Sequence, residues 1–62
     1  MTRYAIKTPR GWLSGVWMYP EGPTRSYDSD SRLALTDATR TEAVLTAERC
    51  GLTDYTIEAV ER

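Results

Sequence analysis

The chain contains no histidine and a single cysteine, Cys50. One thiol cannot close an intramolecular disulfide, and without imidazole the ordinary zinc-ligand sets cannot be assembled. Both absences matter at 62 residues, because a chain this short buries only about 60% of the surface its unfolded form exposes. Small domains usually compensate with a disulfide, a metal or a partner subunit. Here the partner is the remaining option. No stretch approaches the roughly 20 apolar residues needed to span a bilayer, and no apolar run of signal-peptide length opens the chain. The expectation is a single domain over residues 1–62, cytoplasmic and with no membrane contact.

Catalytic groups are sparse in the same way. Asp28 with Asp30 and Glu58 with Glu61 are the nearest approach to paired acids, but the first pair falls in a polar stretch and the second near the end of the sequence. Separating the pKa values of two carboxyls requires burial. Cys50 lies on an apolar stripe, as a small core residue does. Gly11, Gly15 and Gly22 are too widely spread to cradle a phosphate. The composition predicts a protein that is not an enzyme and carries no cofactor.

What is present is a concentration of large rings. "GWLSGVWMYPEGP", from Gly11 to Pro23, holds both tryptophans and one of the four tyrosines. It follows "TRYAIKT", whose alternation of Tyr4 and Ile6 against Arg3, Ala5 and Lys7 predicts a half-buried strand. Between them "TPRG" has the chemistry of a tight hairpin turn. Turn length decides which rings are buried. A three-residue loop of Pro9, Arg10 and Gly11 puts Tyr4, Ile6, Trp12, Val16 and Met18 on one face. Arg3, Ala5, Lys7, Leu13, Gly15, Trp17 and Tyr19 then share the other. A two-residue loop exchanges Trp12 with Leu13 and Trp17. The longer loop is preferred, with Trp12 and Tyr55 as core fillers.

Downstream, Glu21–Ser31 reads as a polar loop with a mobile tip around Tyr27. A third strand is predicted over Arg32–Thr36, with Leu33 and Leu35 pointing the same way. "TRTE" at Thr39–Glu42 matches a capping box, predicting a helix over Arg40–Cys50 with Ala43, Val44, Ala47 and Cys50 as its apolar stripe. Gly51 and Leu52 suit its C-terminal cap. "YTIEAVE" is the last strand, with Tyr55, Ile57 and Ala59 on one face. The fold class is α+β: a small antiparallel sheet in β-β-β-α-β order with a single helix on one face.

One face of that sheet then has nothing in the chain to cover it. Arg3, Lys7, Leu13 and Trp17 share it, with Arg10 at the turn and Tyr19 at the strand end, and these six are the candidate binding residues. Aromatic and arginine side chains are over-represented among interface anchors. The competing reading is structural: Trp17 and Leu13 cover the back of a thin sheet while the basic side chains lie over them by their stems.

The succession "YAIKTPRGWLSG", a polar loop and "RLALTDATRTEAVLTAERCGLTDYTIEAVE" resembles the small accessory proteins of bacteriophages and prophages. "GWLSG" and "TRTEAV" carry most of the likeness, which extends over nearly the whole chain. It implies an α+β fold and a non-enzymatic protein in the bacterial host cytoplasm that binds a host protein, inhibiting or redirecting transcription or defence. No functional residue carries over by position. A second copy of the chain is the other protein partner considered. A different class of function is nucleic-acid binding, with Arg3, Lys7 and Arg10 on phosphates and Trp17 or Tyr19 stacked on unpaired bases. The acidic balance, pI near 5.2, speaks against it. The charge is uneven: residues 1–27 carry four basic side chains against Glu21 alone, and residues 28–62 carry four against eight acidic ones. Either the molecule has a basic and an acidic side, or the halves neutralise each other on folding, which is the preferred reading.

Overall fold

The Thr8 side chain closes the first turn, and with it sets the register of the sheet. In a computed structural model describing Met1–Arg62, Thr8 Oγ1 accepts from the Arg10 N–H at 3.1 Å and donates to the Gly11 carbonyl at 3.0 Å. The loop is therefore Pro9–Arg10 alone, with Thr8 paired to Gly11 and Lys7 to Trp12. Gly11 takes φ +118°, and a Cβ there would fall 2.8 Å from the Asp28 carbonyl oxygen. The glycine is thus a strand residue under a close backbone approach and not the last residue of a three-residue loop. The three-residue register is overturned.

The elements are β1 (Thr2–Thr8), β2 (Gly11–Tyr19), β3 (Gly22–Asp28), a one-turn 3-10 helix (Ser31–Leu33), β4 (Thr36–Asp37), α1 (Arg40–Arg49) and β5 (Thr56–Glu61). All strand pairs are antiparallel, and one helix packs against the sheet, so the α+β class holds. β5 runs along one edge of β1, from Thr2↔Glu61 to Lys7↔Thr56. β2 and β4 share the other edge. β2 pairs with β1 at Lys7 and Thr8 only; the Leu35 N–H then donates to the Leu13 carbonyl at 2.9 Å, and β4 takes over against Tyr4 and Ala5. Beyond Leu13, β2 has β3 as its strand partner.

Two expectations in the middle of the chain fail for identifiable reasons. The polar stretch after Glu21 is largely a strand: Pro20 and Glu21 form a two-residue turn, and Gly22–Asp28 pairs with β2. Pro23 is tolerated because β3 is an edge strand, where a missing donor costs no ladder bond. Tyr27 is accordingly no mobile tip; it packs against the core. The strand expected at Arg32–Thr36 becomes a 3-10 turn, because Asp30 accepts from the Arg32 N–H at 2.9 Å and grips its guanidinium. What pairs is the short β4, and Leu33 and Leu35 are both exposed.

The helix forms close to where its signals place it. Thr39 Oγ1 accepts from the Glu42 N–H at 3.1 Å. At the other end Gly51 (φ +74°) allows the Leu52 N–H to reach the Ala47 carbonyl and its own N–H the Glu48 carbonyl, both at 3.0 Å, a Schellman cap. The helix ends at Arg49, with Cys50 as its cap. Ala43 and Ala47 are wholly buried, so the helix approaches the sheet closely, and the space is filled by Ile6 and Leu13. Leu13, at 0% exposure, is the largest wholly buried side chain. Tyr4, Val16, Tyr27, Leu52, Tyr55 and Ile57 pack around this centre.

Candidate interaction surface

Trp17 lies on the face of β2 turned away from the helix, and a one-residue irregularity keeps it there. Leu13 pairs with Tyr27 and Gly15 with Ser26, leaving Ser14 as an extra residue in β2. Its hydroxyl meets Ser26 Oγ at 3.0 Å. Such a bulge shifts the alternation by one position and bends the strand. Without it, burying Leu13 would carry Trp17 to the helix side. With it, Trp12, Trp17 and Tyr19, opposite Asp28, Thr24 and Gly22, share the face away from α1. Val16 and Met18, opposite Arg25 and Pro23, share the helix side.

The indole of Trp17 folds back along its own strand. A Cβ at Gly15 would sit 3.0 Å from its Cη2, so the missing side chain of Gly15 is where the ring rests. The ring is nonetheless 51% exposed, as is Tyr19, and Met18 between them is 68% exposed. These three side chains occupy the end of β2 that pairs with β3 alone, a two-stranded ribbon leaving the sheet.

The six candidate residues separate. Trp17 and Tyr19 stand together at the ribbon end. Leu13 does not join them: it is wholly buried beneath the helix, because the two-residue turn exchanges it with Trp12. Trp12 takes its place on the open face, half-buried, with Lys7 Nζ 5.1 Å from its ring centroid. Met18, expected in the core, lies beyond the reach of the short helix. Arg3 lies on the same face, but its Nε donates to Thr36 Oγ1 at 2.7 Å and its Nη2 to the Thr36 carbonyl at 3.2 Å. Arg3 is thus tied to Thr36 and Lys7 lies over Trp12, not over Leu13 or Trp17, and Ala5 between them is buried. Arg10 sits at the opposite end of β2, its guanidinium 6.0 Å from the centroid of Tyr27.

Sequence reasoning misplaced two residues that it had assigned to the core: Met18, which is exposed, and Trp12, which is half-buried on the open face. The signal for Trp12 lay in the turn, where the Thr8 hydroxyl closes a two-residue loop; the lone Gly15 marks the bulge that keeps Trp17 outward. Elsewhere, Asp30 is held below the usual carboxylate range by the Arg32 side chain and N–H. Burial pushes the Cys50 thiol up, only partly offset by the charge of Arg25. The thiol packs in the core with Ile6, Leu13, Ala43 and Ala47. No three or more Asp, Glu or Cys side chains come together as a metal-binding group. No helix is long and apolar enough to cross a membrane.

Comparison of the chain with protein-family models, curated proteins and solved structures gave no match.

Proposed function

We propose that the protein works by binding and not by catalysis, and that its contact surface is the β2–β3 ribbon, with Trp17 and Tyr19 as anchors on a protein partner. The observation carrying this reading is that the two rings and Met18 stand exposed on a ribbon that leaves β1 at Leu13, outside any core this chain can build. Trp and Tyr dominate the residues whose truncation weakens interfaces. Monomeric proteins seldom group such side chains on the surface without use for them.

Attachment runs through the side chains and not through strand addition. β3 is an edge, but Pro23 removes a donor from it, and the bulge twists the ribbon, both of which oppose edge pairing. A host protein is the partner class that the resemblance to phage accessory proteins supports. A nucleic-acid contact would draw on cations beside the stacking rings, and Lys7 and Arg10 belong to the other end of β2.

The test is affinity capture from bacterial lysate with three baits: the native chain, Trp17→Ala/Tyr19→Ala, and a Leu45→Ala control on the outer side of the helix. The reading requires a protein retained by the native and control baits and lost by the double variant. Equal retention on all three would overturn it.

A further inference from the structure

A second site lies on the helix side of β3, on the opposite face from Trp17 and Tyr19, and does not draw on those two rings. The Pro9–Arg10 turn, β3 and the segment following α1 enclose a cleft of about 310 Å³, at the small end of the range of ligand pockets. Thr8, Arg10, Arg25, Tyr27, Thr53 and Asp54 line it.

The charges around it are unmatched. The ion pairs of the molecule are Met1 with Glu61 and Arg32 with Asp30, so neither Arg10 nor Arg25 is neutralised by a carboxylate. Arg25 is fixed in place: its Nη1 donates to the Cys50 carbonyl at the end of α1. The guanidinium passes beside Gly51, where a Cβ would lie 3.4 Å from that nitrogen, an ordinary contact distance. One N–H is consumed and the rest of the guanidinium fork remains available. Tyr27, two residues along the same face of β3, packs its ring against the core, and Arg10 approaches that ring from the turn. Two guanidinium groups and one anchored aromatic ring therefore line the same cleft.

We propose that this cleft binds a phosphate monoester, the phosphate held between Arg10 and Arg25 and a flat ring of the ligand resting on Tyr27. Guanidinium forks match phosphate oxygens in pairs. A phosphate monoester carries close to two negative charges at neutral pH, which suits two unpaired cations better than a monoanionic carboxylate does. Thr53 adds a hydroxyl to the lining. Asp54 opposes the anion, so its charge sets how tightly the ligand is held.

The experiment is an NMR titration of the whole chain, following the Arg10 and Arg25 Nε–H signals and the Tyr27 ring, at constant ionic strength. The probes are phenyl phosphate, inorganic phosphate, benzoate and chloride. The expected result is saturable shifts at all three residues, tightest with phenyl phosphate. Arg10→Gln, at an exposed turn, should keep the native spectrum elsewhere and weaken phenyl phosphate about tenfold, the loss expected for a charge-assisted hydrogen bond. Asp54→Asn should strengthen it. Absence of saturable shifts, shifts matched by chloride, tighter binding of benzoate, or indifference to Arg10→Gln would each overturn the proposal. Arg25→Gln is not the variant of choice because it also uncaps α1.

Discussion

Ser14 and Ser26 face each other across β2 and β3 with their hydroxyl oxygens 3.0 Å apart, and this contact marks the residue at which β2 changes its alternation. The bulge absorbs Ser14 so that Leu13 points into the core while Trp17 points away from it. Deleting Ser14 is therefore expected to leave the pairing of Gly15 with Ser26 and the outward placement of Trp17 unchanged. Iodide quenching of Trp17 in a Trp12→Phe background checks this. A large fall in quenching after the deletion would mean that β2 is regular in the native chain.

The two tryptophans should differ as emitters. Trp17 is 51% exposed, whereas Trp12 is half-buried under Lys7. In single-tryptophan variants, Trp12→Phe should emit at longer wavelength and quench more readily than Trp17→Phe. Trp17→Ala should keep the fold, at a cost of no more than about 1 kcal/mol for the ring that rests on Gly15, a typical value for a partly packed surface side chain. Chemical denaturation followed by circular dichroism gives the number, and a cooperative collapse of the fold would return Trp17 to the core.

Leu13→Ala should be far more damaging. Leucine truncation in a core costs about 2–5 kcal/mol, and native domains have only roughly 0.05–0.15 kcal/mol of stability per residue. For 62 residues that removes most of the margin. The variant should be largely unfolded at 37 °C by circular dichroism, while Met18→Ala, on an exposed side chain, should denature like the native chain.

Cys50 gives a dependence on alkaline pH. Its folded-state pKa is raised by burial, so the folded chain holds its thiol proton where the unfolded chain has lost it. The stabilisation this provides is fully present below the unfolded value, about 8.5, and is lost as pH rises through the folded one. Thermal unfolding between pH 7 and pH 10 should show stability declining in the upper part of the range. Cys50→Ala should flatten that part of the decline. An unchanged slope would mean that other groups carry it.

Thr39→Ala tests the helix start. Loss of the N-cap bond to the Glu42 N–H should lower stability by about 1 kcal/mol, read as a lower denaturation midpoint with the same slope. Thr39→Ser, which keeps the hydroxyl, should recover most of it.

Local signals carried much of the architecture. The helix and both of its caps were legible because the Thr39 hydroxyl, Gly51 and Leu52 act within a few residues of where they stand. β1 and β5 were legible from alternation. β3 was not, because the polar composition of "GPTRSYD" is that of a loop, and it becomes a strand only by pairing with a β2 long enough to template it. The exposed surface was half legible: Trp17 and Tyr19 fall on the face expected for them, although through a different register. The one-residue change at the turn would have moved Trp17 inward, and the bulge at Ser14 moves it out again.

The sequence by itself determined that this is one small α+β domain with a closely approaching helix, because small apolar residues at helical spacing and turn residues at fixed positions act locally. Only the tertiary structure decided which large side chain fills the core and which stay outside. That choice depends on a hydroxyl at Thr8 shortening a turn and on Leu35 reaching the Leu13 carbonyl, so that β2 leaves β1 and carries Trp17, Met18 and Tyr19 beyond the helix. Burial follows from strand pairing across the chain, and no window of neighbouring residues contains it.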